Sequence, residues 1–158
     1  MTKGFFAVPL PSNEPVLTYE RGSKERAELK GALDADLKHK SEIPMIIGGK
    51  KVDSGNLCSI RTPHDTGHEL GIYHQGEEVH VNMAINAALS AREMWASLPW
   101  EDRAAIFLKA AELLSGPYRA KINAATMLCQ SKNAYQAEID SACELIDFLR
   151  FNVSYMNE

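Results

Sequence analysis

The sequence has no block of Lys or Arg, no CxxC pair, no glycine-rich phosphate loop and no long apolar run. Each absence removes a class of protein. With 17 basic residues against 21 acidic ones and a net charge of −4, a generally basic nucleic-acid binder is excluded. The longest apolar runs, such as Ile43-Pro44-Met45-Ile46-Ile47, fall far short of the roughly 20 residues a membrane-spanning helix needs. The 3 cysteines, Cys58, Cys129 and Cys143, are odd in number and widely spaced. That argues against a disulfide or zinc framework and for a reducing compartment. No GxGxxG or GxxxxGK[ST] occurs, and Gly48-Gly49 is too short to cradle a phosphate, so no nucleotide site is legible. The start, Met1 to Leu10, lacks the apolar core of a secretory signal. It also lacks the length and arginine content of a full mitochondrial presequence.

What is present is a globular balance: 158 residues, 45% hydrophobic and 24% charged, enough for one ordinary domain or a piece of a larger one. Pro9, Pro11 and Pro15 make residues 1–22 an extended arm. Ser23 is a suitable N-cap for a helix over residues 23–40, with Leu29, Leu33 and Leu37 as its narrow stripe. Strands are expected over about 43–74. Gly48-Gly49 closes a hairpin between Met45-Ile47 and Lys50-Val52, and Leu57–Arg61 and Glu69–Tyr73 are separated by the turn residues Pro63 to Gly67.

From Glu77 the pattern is helical. The first helix presents Val81, Ala84, Ile85, Ala88 and Trp95 on one face. The next, after Pro99, presents Ala104, Phe107, Leu108, Ala111 and Leu114, and Ser115-Gly116-Pro117 stops it. A third buries Ile122, Ala125 and Leu128 or Cys129. The last runs unbroken from about Asn133 to the end, with Ile139, Ala142, Cys143, Ile146, Leu149, Val153 and Met156 on its inner face. No Gly or Pro closes that helix, as in a chain that continues. The fold class is therefore α+β locally, a small antiparallel hairpin and sheet plus four helices in the second half.

Asp140, Glu144 and Asp147 form the one spaced carboxylate row. At helical spacing such a row binds a cation or tunes one carboxyl for acid–base work, or it is a solvated acidic face. His39, His64, His68, His74 and His80 are scattered over turns, strands and a helix start, and do not supply a metal ligand set. Cys129 and Cys143 fall on buried stripes, where a thiol is inert, and Cys58 sits in a strand with no base beside it. Periodicity and spacing yield no complete catalytic constellation.

A resemblance takes the reading further. The run Asp102-Arg103-Ala104 through Leu114-Ser115-Gly116-Pro117-Tyr118-Arg119 resembles the N-terminal region of aldehyde dehydrogenases. Leu114-Ser115-Gly116-Pro117 is the narrower signal. With Gln136-Ala137-Glu138-Ile139-Asp140, Glu144-Leu145-Ile146-Asp147-Phe148 and Arg150-Phe151-Asn152, it is similar to the Δ1-pyrroline-5-carboxylate dehydrogenases. Asn13-Glu14-Pro15-Val16-Leu17, Gly22-Ser23 and Glu25-Arg26 look like the start of the eukaryotic mitochondrial members. The likeness covers about residues 13–158.

The resemblance implies the N-terminal part of an α/β aldehyde dehydrogenase fold and an NAD-dependent oxidation of L-glutamate γ-semialdehyde to glutamate in proline catabolism. It implies a cysteine thiolate that attacks the aldehyde, hydride transfer to NAD, and release of the acid by a glutamate-activated water. None of Cys58, Cys129 and Cys143 matches the family's nucleophile motif. The Rossmann core, nucleophile and general base are therefore expected beyond Glu158, with no catalytic or cofactor-binding residue in this stretch and the chain inactive alone. Glu144 matches the family glutamate at the substrate end of the active site, so the resemblance makes it substrate-binding. It also implies a homo-oligomer joined through peripheral elements such as the Met45–Val52 hairpin, and a mitochondrial matrix location, with the cytoplasm as the other option. A small-molecule substrate is expected, with no nucleic acid and no membrane. The alternative is a truncated isoform that acts as an interaction module on full-length subunits.

Overall fold

The computed structural model describes residues 4–158. Residues 4–20 have no regular secondary structure. Helix α1 (Lys24–Lys38) begins where Ser23 Oγ accepts from the Arg26 amide at 3.3 Å. Its end at Lys38 places a cation beside the free carbonyls.

The chain forms two compact units, residues 34–98 and residues 1–33 with 99–158. The first holds the strands β1 (Ser41–Ile43), β2 (Met45–Ile47), β3 (Lys50–Val52), β4 (Leu57–Thr62) and β5 (Asp65–His74), and the helix α2 (Glu78–Ser97). The β2–β3 hairpin is antiparallel with Ile47 opposite Lys50. Gly48 and Gly49 form its two-residue turn at φ of 57° and 76°, a conformation that costs other residues a clash of Cβ with backbone.

The second sheet has the order β1-β5-β4. It is not wholly antiparallel, because β1 pairs parallel with β5, Ser41 opposite Gly71. The turn between β4 and β5 is also shorter than the turn chemistry suggests. Thr62 pairs with Asp65, so Pro63-His64 alone turns the chain and Asp65, Thr66 and Gly67 join β5. Helix α2 buries no residue, and Val81, Ile85 and Trp95 on its expected inner face stay exposed.

The other unit contains α3 (Trp100–Ser115), α4 (Arg119–Gln130), the short α5 (Ala134–Ala137), a π-helical turn (Glu138–Cys143) and α6 (Glu144–Asn157). The expected single last helix is thus interrupted. Ala111 of α3 packs with Ala142 and Ile146, flanked by Leu114, Ile122 and Leu149. Tyr19, Leu29 and Ala124 form a second small cluster with Leu17, Leu33 and Met127 against it.

Several stripe residues lie elsewhere than the periodicity places them. Phe107, Ala125, Cys129 and Met156 are exposed. The inward face of α4 is instead Arg119, Asn123, Ala124 and Leu128, two of them polar. A rotation that buries Arg119 and Asn123 turns Ala125 and Cys129 outward. The cause is Glu138, which is fully buried between α4 and the arm.

Candidate functional site

Asn133 caps α5, accepting from the Gln136 amide at 2.9 Å, so the chain enters its last helical run in a fixed register. The π-turn that follows adds one residue to the helical circuit and closes with the Glu144 amide donating to the Ile139 carbonyl. This extra residue lets two faces be satisfied at once. Glu138 points at α4 and the arm, while Ala142 and Ile146 pack on α3.

Around Glu138 the donors converge. The Leu17 amide reaches one carboxylate oxygen at 2.8 Å, and the Tyr19 hydroxyl and Asn123 Nδ2 reach the other at 2.6 and 2.7 Å. The Arg119 guanidinium binds both oxygens. Burial alone would raise this carboxyl, but the Arg119 charge and the donated hydrogen bonds outweigh it and hold the group below its usual range. The Arg119 guanidinium loses solvation on burial, yet Glu138 and Glu14 keep it more firmly protonated than usual. Burial and the Glu138 charge push the Tyr19 hydroxyl upward.

The same groups hold the arm. Arg119 also binds Glu14 and donates to the Pro15 carbonyl at 2.7 Å. Arg150 reaches the other Glu14 oxygen at 2.6 Å. Asp147 accepts from the Glu14 amide at 2.6 Å and from the Asn13 side chain at 2.7 Å. Tyr19 lies in the left-handed region at φ 54°, an uncommon place for a bulky residue, and Arg26 steadies its carbonyl at 2.9 Å. Of the stretch expected as an extended arm, residues 1–3 lie outside the described residues, and residues 13–19, without regular secondary structure, are fastened to the helices of the same unit.

The carboxylate row separates into different roles. Asp140 pairs with Lys132 at 2.6 Å, and Asp147 serves the arm. Glu144 is exposed, and its side chain makes no hydrogen bond or ion pair among the described residues. It lies on the ridge between two grooves, both of which it lines together with Phe148. One, of about 690 Å³, runs between the arm residues Asn13, Glu14 and Val16 and the rings of Phe151 and Tyr155. The other, of about 400 Å³, is lined by Thr126, Lys132, Asp140 and Ser141. Glu144 is thus the member of the row with a charge free for a ligand.

Two of the histidines have structural roles. His74 is buried and bonds on both sides: Nδ1 accepts from the Gly55 amide at 3.2 Å, and Nε2 meets Glu42 at 3.0 Å. His80 Nδ1 accepts from the Glu77 amide at 3.0 Å and so closes the start of α2. His39 is exposed just beyond α1, and His64 sits in the β4–β5 turn with an interaction of its own. His68 has a buried Nε2 with no partner among the described residues. No group of His, Cys, Asp and Glu among the described residues is placed to hold a metal ion.

Cys143 is buried under the arm near Glu138 and Arg119, and burial with the neighbouring carboxylate raises its thiol to about 11. At neutral pH it is a protonated, covered thiol. Cys58 is partly exposed in β4, and Cys129, expected inside, faces outward. The glycines at Gly48-Gly49 close a hairpin, and no strand, glycine turn and helix among the described residues form a dinucleotide cradle. No helix among the described residues is long and apolar enough to cross a membrane.

Residues 51–158 match the aldehyde dehydrogenase family, and the chain belongs to that family. Among curated proteins it is similar to the Δ1-pyrroline-5-carboxylate dehydrogenase of Agaricus bisporus, 50% identical over 155 residues. That match covers 97% of this chain and 28% of the relative. The mitochondrial Δ1-pyrroline-5-carboxylate dehydrogenase of Homo sapiens is 47% identical over 148 residues, covering 93% of this chain and 26% of its own. Among solved structures, the Mycobacterium tuberculosis Δ-pyrroline-5-carboxylate dehydrogenase bound with NAD and cobalamin superposes with a TM-score of 0.95 at 44% identity. It is covered over 30% of its length, against 99% of this chain. The chain therefore has the fold of the matching part of these enzymes and spans less than a third of their length.

Proposed function

We propose that this chain is the N-terminal portion of an NAD-dependent dehydrogenase that oxidises L-glutamate γ-semialdehyde to glutamate. The observation that carries the reading is the similarity to Δ1-pyrroline-5-carboxylate dehydrogenases along 97% of the chain. NAD use is supported by the relative bound with NAD, and a mitochondrial matrix location by relatives described as mitochondrial. A homo-oligomer is the family expectation that the Met45–Val52 hairpin would serve. Cys143 is buried with its thiol raised, and none of Cys58, Cys129 and Cys143 matches the family's nucleophile motif, so the nucleophile and the general base are assigned to the larger part of the enzyme outside the matched region. The chain alone is inactive.

Glu144 is the substrate-binding residue of this portion. Its exposed, uncompensated carboxylate supports that role, because it can accept hydrogen bonds from the substrate's ammonium or iminium nitrogen. The test has two parts. NADH production is first measured with the purified 158-residue chain, NAD and pyrroline-5-carboxylate; no enzyme-dependent signal is expected, and a signal overturns the assignment of catalysis elsewhere. The chain is then joined to the C-terminal remainder of the Agaricus bisporus relative. There Glu144→Ala lowers kcat/KM for glutamate semialdehyde about tenfold or more, the worth of one charge-assisted hydrogen bond. A simple aliphatic aldehyde loses little, and equal loss for both removes Glu144 from substrate reading.

A further inference from the structure

Glu144 faces two grooves, and their chemistry differs. The groove beside Thr126 carries both signs of charge, with Lys132 next to Asp140. Every charged residue that lines the groove on the arm side is acidic: Glu14, Asp147 and Glu144. Glu14 is neutralised by Arg119 and Arg150, and Asp147 is satisfied by the donors of Asn13 and Glu14. No cation pairs with Asp147 or Glu144 among the described residues, and of the three only Glu144 also lacks a hydrogen-bond donor on its carboxylate. Phe148, Phe151 and Tyr155 add ring faces to the same groove. An ammonium or iminium group between a free carboxylate and aromatic rings gains both the ion pair and the attraction of the ring quadrupole.

The opposite wall is not a regular element. It is the arm at Asn13, Glu14 and Val16, which has no secondary structure of its own and stays in place through side-chain clasps. Glu14 is the centre of these clasps, joined to Arg119 from α4 and to Arg150 from α6 by its two oxygens. Its loss leaves Arg119 still paired with Glu138 and Arg150 partly in water, so the helices keep their contacts while the arm loses its anchor.

We propose that the cationic end of the substrate lodges in the arm-side groove against Glu144, and that Glu14 is a positioning residue that holds the arm as that groove's wall. This rests on the reading of Glu144 as substrate-binding. Without Glu14 the arm must be ordered anew each time a ligand binds. If it closes only about a tenth of the time, the apparent affinity falls about tenfold.

The experiment compares three variants of the chain joined to the C-terminal remainder of the Agaricus bisporus relative. Glu14→Gln raises KM for glutamate semialdehyde about tenfold with kcat nearly unchanged, and leaves KM for propanal as it was. Glu144→Gln raises KM for the semialdehyde as well. Lys132→Met, in the other groove, changes neither. In the 158-residue chain, hydrogen exchange of residues 13–17 quickens with Glu14→Gln while α4 and α6 stay protected, which reads the arm independently of activity. A raised KM with Lys132→Met but not with Glu14→Gln places the ligand in the other groove and overturns the proposal while the reading of Glu144 stands. No effect of Glu144→Gln removes that reading and the proposal with it. Unchanged exchange at residues 13–17 overturns the positioning role of Glu14.

Discussion

Glu138 holds a charge where no water reaches it, and every acceptor position is filled by the chain itself. Such a group stabilises the fold only while its partners remain, because an unpaired buried charge is far more costly than a broken surface pair. Glu138→Ala takes from Arg119 its fully buried partner, leaving it Glu14 alone, and strips the buried Tyr19 and Asn123 of their shared carboxylate acceptor; it is expected to cost about 3–5 kcal/mol in urea unfolding. Asp140→Ala, which breaks the solvent-exposed pair with Lys132, is expected to cost less than about 1 kcal/mol. Similar losses for the two would show that the buried network contributes nothing special. The pH dependence follows from the direction of the shift. The folded carboxyl sits below its unfolded value of about 4.3, so its stabilisation is complete above that pH and is lost as pH falls through the lower folded value. Glu138→Gln removes that part of the acid sensitivity. At this scale the sequence said little, because a pass for apolar periodicity skips a buried Glu. One signal was present: Arg119 and Asn123 lie four apart, on the face of α4 that also carries Ala124 and Leu128. Polar residues on a buried stripe require a buried partner.

Gly71 shows how one residue decides whether a strand can pair. A Cβ there would stand 2.1 Å from the Ser41 carbonyl oxygen, so β1 lies beside β5 only because Gly71 has no side chain. Gly71→Ala is expected to displace β1, speed hydrogen exchange at residues 41–43 and cost about 1–3 kcal/mol. Gly67→Ala, whose Cβ meets only the Asp65 side chain at 3.5 Å, is the matched control and is expected to change neither. Retained protection at residues 41–43 in Gly71→Ala would show that the sheet shifts to accommodate it. The hairpin at Gly48-Gly49, the Ser23 cap and the break at Pro99 were legible, since each is local turn or cap chemistry. The β1–β5 pairing was not, because the pattern within three residues carries no information on a partner some thirty positions away. The π-turn was hidden for a related reason. A wheel at 100° per residue assumes α-helical hydrogen bonding throughout, and one inserted residue rotates everything after it. That is why Asp140, Glu144 and Asp147, grouped on such a wheel, meet Lys132, open groove and arm. Glu144 itself came from the resemblance; the spacing offered no reason to prefer it to its neighbours.

On the scale of the whole chain, the exposed apolar surface is the feature that the individual elements do not explain. Helix α2 has 20 residues and buries none of them, while Val81, Ile85, Leu89 and Met94 are each more than half exposed. An amphipathic helix gains most of its stability from the face it packs, not from propensity. Soluble monomers rarely leave contiguous apolar surface of this kind uncovered. The relatives supply a reason, since the chain spans 28% of their length and the larger part of each enzyme is available to cover such a face. We therefore expect the 158-residue chain alone to associate with itself in a concentration-dependent way. Sedimentation velocity over a range of concentrations measures this, beside the double variant Val81→Glu and Ile85→Lys. These positions lie four apart on α2, so the substitutions replace one exposed apolar patch with an ion pair that suits the helix. The variant should remain monomeric with an unchanged helical circular dichroism spectrum. If the unsubstituted chain is monomeric at every concentration, the face of α2 is not adhesive, and its apolar residues then need another explanation than a covering surface.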